Sequence, residues 1–344
     1  METVETRDVT IMKDVRNYSL LAHNTFGIDA KCGRFLEYAS ADEARQVAQI
    51  LRESGEPYII IGSGSNLLLT RDFQGIVVHS ACKGVAFEGN RMRCGSGEDW
   101  DEVVARSLEQ GLYGLENLSL IPGDVGSSAV QNIGAYGAEA KDFICRVRAV
   151  EIATGQCVEM SREECAYGYR DSRFKHEWKN CYLITEVDYE LQTAFTPRLD
   201  YGNIRAELER RGIASPTAWQ VREAVINIRN AKLPDPKVTG NAGSFFMNPV
   251  VSREKFEQLL AEYPQMPHYH IDDEHEKIPA GWMIEQCGWK GKALGRAGVH
   301  SKQALVLVNL GGATGSEIVA LCEAVRKDVL ERFGIEIFPE VNII

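Results

Sequence analysis

The 344-residue chain lacks any run of about 18 apolar residues, so a membrane-crossing helix is excluded. It lacks a C-x-x-C pair. Its nine cysteines (Cys32, Cys82, Cys94, Cys145, Cys157, Cys165, Cys181, Cys287 and Cys322) are scattered, most of them in apolar surroundings. That pattern fits reduced structural thiols in a cytoplasm rather than disulfides or a metal site, and no metal is expected. Positive charge is scarce: 38 Lys and Arg against 49 Asp and Glu leave a net charge of −11. A nucleic-acid partner wants a basic face, so the charge argues against one and none is expected. The opening METVETRDVTIMKD is polar and acidic, with no apolar core of a leader, so no signal peptide is expected. No repeat or low-complexity segment is visible. The balance of 44% hydrophobic and 25% charged residues is that of an ordinary globular protein, long enough for two or three domains.

What the chain does have is glycine in unusual places. Residues 120–139, LIPGDVGSSAVQNIGAYGAE, hold four glycines, three alanines and two serines, too few charges for a surface loop. Gly123, Gly126, Gly134 and Gly137 should break both helix and strand. Two readings fit: a small-residue wrapper whose bare amides grip a diphosphate, or a turn-rich connection between packed layers. A second cluster, Gly62-Ser63-Gly64-Ser65-Asn66, follows the apolar run Tyr58–Ile61, which reads as a buried strand. Neither a third glycine opening a helix nor a Gly-Lys-Ser/Thr sequence accompanies it, so the two common nucleotide-binding fingerprints are disfavoured. A diphosphate ligand is not.

Elsewhere the pattern is mixed. A strand is expected at 35–39, a helix at 42–54 capped by Ser40 or Asp42, a meander over 75–95 and a helix over 100–110. Strands follow at 147–151 and 182–191, one charged helical stretch at 203–230, and a boundary at Pro234 and Pro236. The last third predicts helices near 252–262 and 316–333 and a strand over 304–309. Strands and helices do not strictly alternate, so the expected class is α+β.

Three further segments carry chemistry. Tyr167-Gly168-Tyr169-Arg170-Asp171-Ser172-Arg173-Phe174-Lys175 sets three cations among aromatics: a carboxylate or cofactor contact, or a salt-bridged loop. Gly240-Asn241-Ala242-Gly243-Ser244-Phe245-Phe246-Met247-Asn248-Pro249 either projects a serine hydroxyl into an apolar site or is a glycine turn entering a strand. Phe338-Pro339-Glu340-Val341-Asn342 offers one carboxylate in an apolar setting, functional or ordinary surface.

Together these segments resemble the UDP-N-acetylenolpyruvoylglucosamine reductases, the flavoenzymes of bacterial peptidoglycan precursor synthesis. The resemblance runs from Asn24-Thr25-Phe26-Gly27 to Pro339-Glu340-Val341. It includes KLPDP at 232–236, AGWMIEQCGWKG at 280–291 and HSKQALVLVN at 300–309. Leu199-Asp200-Tyr201-Gly202-Asn203 and the long 252–279 segment look like the type I form, in which a tyrosine loop closes over substrate. The resemblance implies a two-lobed FAD-binding domain of the vanillyl-alcohol-oxidase type plus a C-terminal α+β substrate-binding domain. The implied division is 1–66 completed by 335–344, then 67–215, then 231–334.

It further implies an oxidoreductase with FAD as cofactor and NADPH as co-substrate, reducing UDP-N-acetylglucosamine enolpyruvate to UDP-N-acetylmuramate. Ser244 matches the proton donor, and Arg170 the cation beside the substrate carboxylate. Glu340 matches a glutamate near that carboxylate, which asks that it be protonated or bridged to a cation. The implied cofactor contacts are Gly62, Ser63, Gly64, Ser65 and Asn66, then Pro122, Gly123, Gly126, Ser127, Ser128, Gln131, Asn132, Gly134, Ala135, Tyr136 and Gly137. Lys232 and Lys290 match lysines around substrate and nicotinamide nucleotide. Tyr201, Asn248, Tyr269, Lys277 and Gln303 match contacts to the substrate's diphosphate. Met247 departs from the family pattern beside the serine and should point away if the segment is extended. A cytoplasmic monomer is expected. The rival readings are another FAD-dependent oxidoreductase of the same fold, acting on a small alcohol or hydroxy acid, and a non-catalytic nucleotide-sugar binder.

Overall fold

The structure, a computed structural model, describes residues 12–344. Most of the polar stretch read against a leader lies outside them. The chain condenses into two compact units. The first takes the residues up to Tyr18, then Cys32–Ser63 and Gln74–Ile228; the second takes Ser19–Lys31, Gly64–Phe73 and Arg229–Ile344. The division expected from the sequence cuts the chain at other points.

In the first unit four strands lie in the order Lys13–Ser19, Lys31–Tyr38, Phe73–Ser80, Tyr58–Ile61. Tyr58–Ile61 runs parallel to Phe73–Ser80, Ile60 opposite Val78. The glycine cluster therefore begins at the exit of a sheet strand. The helix Ala41–Ser54 starts where the Ser40 side chain accepts from the Glu43 amide and ends at Gly55, φ 62°. Its Ala44, Val47, Ala48 and Leu51 are buried with Leu36, Ile76 and Val78 of the sheet. A second, antiparallel sheet has five strands in the order Cys157–Ser161, Ile144–Glu151, Tyr182–Glu190, Arg91–Gly95, Val85–Glu88. The helix Trp100–Glu109, capped by Asp99, packs Trp100, Val103 and Val104 into a core with Val147, Val187 and Tyr189. Each large side chain buried there contributes roughly 1.5–3 kcal/mol. The helical stretch expected at 203–230 is two helices, Ile204–Arg210 and Ala218–Lys232. Gly212, at φ 70°, and Pro216 break the run between them.

In the second unit the antiparallel order is Gly240–Asn241, Leu307–Asn309, Ala297–Val299, Ala293–Leu294. The strand expected over 304–309 is confined to Leu307–Asn309, because the Val306 amide turns back to the Gln303 carbonyl. Val250–Ser252, His275–Lys277 and Tyr269–His270 form a small separate sheet. The helix Gly315–Phe333 opens with a reciprocal Thr314/Glu317 capping box and buries Ile318, Leu321, Val325 and Phe333. Asn342–Ile343 pairs in parallel with Leu67–Leu68, just beyond the glycine cluster. The class is α+β. Among the described residues no helix is long and apolar enough to cross a membrane.

Candidate functional site

The two glycine-rich segments meet through one carboxylate. Asp124, 8% exposed, accepts from the Ser63 amide at 2.8 Å and from the Ser127 amide at 2.7 Å. The second bond caps the helix Val125–Gln131. Gly126, expected to break a helix, lies inside this one. In the first turn an amide has no intrahelical acceptor, and the Gly126 amide donates instead to the Ser96 carbonyl at 2.8 Å. The glycines also answer to protein contacts. A Cβ on Gly62 would come within 2.6 Å of Asp124 Oδ2 and strike Ser127 Oγ, and one on Gly134 would come within 2.9 Å of Glu139 Cγ. The helix N-terminus is thus already satisfied by the Asp124 carboxylate and the Glu98 and Ser96 carbonyls. Ser63 Oγ, by contrast, is buried with no hydrogen-bond partner. An unmet buried hydroxyl costs about 1–3 kcal/mol, so this one asks for a ligand.

Gly134–Ala135 and Ala138–Glu139 close a hairpin with Tyr136 and Gly137 at its apex. Their φ values are 50° and 79°. A two-residue hairpin turn wants both apex residues left-handed, which glycine accepts and tyrosine resists. Two rings interlock there. A Cβ on Gly137 would fall 2.8 Å from Tyr201 Cε2, and one on Gly202 would fall 2.5 Å from Tyr136 Cε1. Buried Asn117 ties the same pieces, its Nδ2 donating to the Tyr136 carbonyl at 2.8 Å and the Arg198 carbonyl at 2.9 Å. Tyr201 itself is 62% exposed.

Arg170 stands at φ 54° on a turn in which Gly168 and Asp171 exchange backbone bonds of 3.0 and 3.2 Å. Glycine is the ordinary occupant of such a position. The turn is held by side chains: Asn132 Nδ2 donates to the Gly168 carbonyl at 2.6 Å, and Lys175 Nζ to the Arg170 carbonyl at 2.8 Å. Ser172 Oγ donates to the Val130 carbonyl at 2.5 Å, and His176 pairs with Asp171 at 2.7 Å. Of the three cations in this motif, Arg173 is engaged by Glu177 at 3.1 Å and lies over Trp178. Asn132, φ 43°, also bonds Glu139 and the Lys141 amide, and Ser128 Oγ bonds Tyr189. Both are occupied within the protein.

The second unit gathers another set. The Phe245 amide donates to the Leu305 carbonyl at 2.7 Å, and the Phe245 carbonyl accepts from the Glu340 amide at 2.8 Å. The Met247 amide donates to the Phe338 carbonyl at 2.9 Å, so 245–247 and 338–340 run side by side. Ser244 and Glu340, nearly 100 positions apart, thereby become neighbours. Ser244 is exposed while Phe245 and Phe246 are buried, and Met247 is 46% exposed. Asn66 Nδ2 donates to the Glu340 carbonyl at 3.2 Å, and Gln303 lies two residues from Leu305, whose amide its Oε1 accepts. Tyr269 stands opposite Lys277, which stands opposite Val250, two residues from Asn248. Asn248 Oδ1 accepts the Ala280 amide at 2.9 Å, and Lys290 pairs with Glu285 at 2.9 Å. Lys232 ends its helix exposed.

Sequence reasoning missed three participants. Asp124 carried a signal, the helix-start spacing Asp124-x-x-Ser127. Asn117 carried none. His300 lies in the segment of Gln303; its Nδ1 is buried without a partner, and burial, then Lys302, lowers its pKa.

Residues 34–161 match the model of an FAD binding domain, and residues 235–344 that of the UDP-N-acetylenolpyruvoylglucosamine reductase C-terminal domain. The buried, unmatched Ser63 hydroxyl fits such a ligand. The crystal structure of a UDP-N-acetylenolpyruvylglucosamine reductase from Thermus caldophilus has the same fold: TM-score 0.67, 21% identity, 97% of this chain and 98% of that one. So has 6-hydroxy-D-nicotine oxidase from Arthrobacter nicotinovorans, with TM-score 0.55 and 14% identity over 97% of this chain and 88% of that one. A UDP-N-acetylenolpyruvoylglucosamine reductase of Bacteroides fragilis (strain YCH46) is 54% identical over 334 residues, 96% of this chain and 99% of the relative. Likeness of that depth along nearly the whole length leaves one assignment: the chain belongs to the UDP-N-acetylenolpyruvoylglucosamine reductase family of FAD-dependent oxidoreductases.

Proposed function

We propose that the chain reduces UDP-N-acetylglucosamine enolpyruvate to UDP-N-acetylmuramate, with NADPH as co-substrate. FAD, when bound, supplies the hydride carrier between NADPH and the substrate's methylene carbon. The protein's own task is to bind, orient and protonate. Ser244 donates its hydroxyl proton to the carbon beside the substrate carboxylate; hydride plus proton completes the two-electron reduction of the double bond. A hydroxyl is a weak acid, and it suffices because the enolate it meets is strongly basic. Arg170 faces the carboxylate and offsets the charge that develops there, and Glu340 borders the same group. Ser63, with the segments 62–66 and 122–137, holds the cofactor. Tyr201, Asn248, Tyr269, Lys277 and Gln303 contact the substrate's diphosphate, and Lys232 and Lys290 the nucleotides.

The observation that carries this reading is the backbone pairing of 245–247 with 338–340, which brings the segments of the proposed acid and the proposed carboxyl side by side. The left-handed Arg170 supports it, since strain at a bulky residue points to function. We further propose three functional parts, 1–66 with 335–344, 67–215 and 231–334, in a cytoplasmic monomer. Nine unpaired cysteines support that compartment.

Anaerobic stopped-flow spectroscopy tests the function. NADPH should bleach the bound flavin, and the enolpyruvyl substrate should restore its colour. Mass spectrometry of the released cofactor should give FAD rather than FMN. Flavin that a small hydroxy acid reduces, and that the enolpyruvyl nucleotide does not reoxidise, would favour the rival oxidoreductase instead.

A further inference from the structure

We propose that Lys175 is a positioning residue for Arg170, clamping its backbone carbonyl so that the guanidinium is aimed at the substrate carboxylate. This rests on the role proposed above for Arg170. The turn at 168–171 is closed by the reciprocal Gly168 and Asp171 bonds, but those bonds hold only its ends. The orientation of the apex depends on the peptide plane between Arg170 and Asp171. Lys175 Nζ holds that plane by its carbonyl at 2.8 Å, a bond strengthened by the ammonium charge. A non-glycine residue at φ 54° otherwise drifts toward right-handed conformations, and the guanidinium would swing with it.

Lys175 is itself well anchored. It ends a short 3-10 turn, Arg173–Lys175, and its amide donates to the Ser172 carbonyl at 3.0 Å. Its neighbour Phe174 is buried against Trp178 and Tyr182, ring centroids 5.2 and 6.3 Å away. The core therefore fixes the clamp, and the clamp fixes the strained apex. The remaining ties, Asn132 to Gly168, His176 to Asp171 and Ser172 to Val130, reach the turn on either side of Arg170.

The test uses the flavin-loaded enzyme in single turnovers. Lys175→Met should slow flavin reoxidation by the enolpyruvyl substrate about 10- to 100-fold, as expected when a reacting group is misplaced by about 1 Å. Flavin content, melting temperature and reduction by NADPH should stay at wild-type values. Lys175→Arg, which keeps a charged donor, should recover most of the rate. In an Arg170→Ala background Lys175→Met should cost nothing more, because residues acting as one unit are not additive. A wild-type reoxidation rate in Lys175→Met, or a further loss in the Arg170→Ala background, overturns the proposal. If Lys175→Met loses flavin, Lys175→Gln repeats the comparison with a side chain that still donates. Full reoxidation in Arg170→Ala alone would instead remove the role proposed for Arg170, and the clamp with it.

Discussion

Arg170 rides on a turn that side chains brace, whereas Ser244 and Glu340 ride on neighbouring segments joined by backbone bonds. In the first case Asn132, Lys175, His176 and Ser172 each supply a bond, and the apex is left-handed. In the second the Phe245, Met247 and Glu340 amides do the work, and the serine side chain projects exposed from the pairing. A backbone ladder tolerates a change of side chain; a side-chain lattice does not. Chemistry and architecture should therefore separate cleanly at Ser244 and become entangled near 124–137.

The largest effect is expected at Ser244. Ser244→Ala should slow flavin reoxidation by several orders of magnitude, beyond the roughly hundred- to thousand-fold typical of one lost electrostatic group. Bleaching by NADPH and the melting temperature should hold. Ser244→Cys should recover part of the rate, since a thiol of pKa about 8.5 can also deliver a proton. Wild-type reoxidation in Ser244→Ala would leave the reaction without its acid.

Next comes Asp124, on the side-chain-built side of the comparison. Asp124→Ala should cost about 1 kcal/mol for the lost cap and about 1–3 kcal/mol for a stranded buried amide. Flavin should be lost with that stability. Asp124→Asn, which keeps a single acceptor oxygen, should fall between. Denaturant titration with a parallel flavin count measures both, and an unchanged flavin count in Asp124→Ala would uncouple this tie from cofactor binding.

Tyr201 tests a smaller effect. Tyr201→Phe keeps the ring seated over Gly137 but removes the hydroxyl. It should raise the substrate KM several-fold while leaving bleaching by NADPH alone, the signature of uniform binding. An unchanged KM would mean the interlock with Tyr136 and Gly202 is the residue's whole role.

The smallest effect is a side-chain lattice elsewhere. Arg296, and then the Thr314 amide, hold the Glu317 carboxyl down at about 2, against an ordinary 4.5. Its contribution to the start of the Gly315–Phe333 helix is therefore complete above pH 4.5 and fades as pH falls toward 2. Protection of the first-turn amides, taken relative to their intrinsic exchange rate, should fall over that window in the wild type, and the change should shrink in Arg296→Ala. Protection that stays flat between pH 4.5 and 2 would show that the capping box does not depend on that charge.

Much was legible locally. The helices Ala41–Ser54, Trp100–Glu109 and Gly315–Phe333 fall where periodicity and capping residues put them, because caps and apolar spacing act within a few residues. The glycine clusters were legible as unusual backbone, and 120–139 does hold left-handed Leu120, Asn132 and Tyr136. Their purpose was not. Gly62, Gly126 and Gly134 read as room for a ligand, yet the nearest atoms belong to Ser127, Ser96 and Glu139.

Chain order and residue chemistry by themselves determined the α+β class and the motifs, and the family resemblance of those motifs singled out Arg170, Ser244 and Glu340 as candidates. Propensity and residue type are properties of short segments, and they survive in any fold. Only the tertiary structure decided that Asp124 meets the Ser63 amide 61 positions away, that Glu340 pairs beside Ser244, and that Tyr201 lies on Gly137 while Tyr136 lies on Gly202. Such contacts arise when distant segments are brought together to bury apolar surface. Their partners are chosen by the packing of the whole chain, which no local pattern encodes.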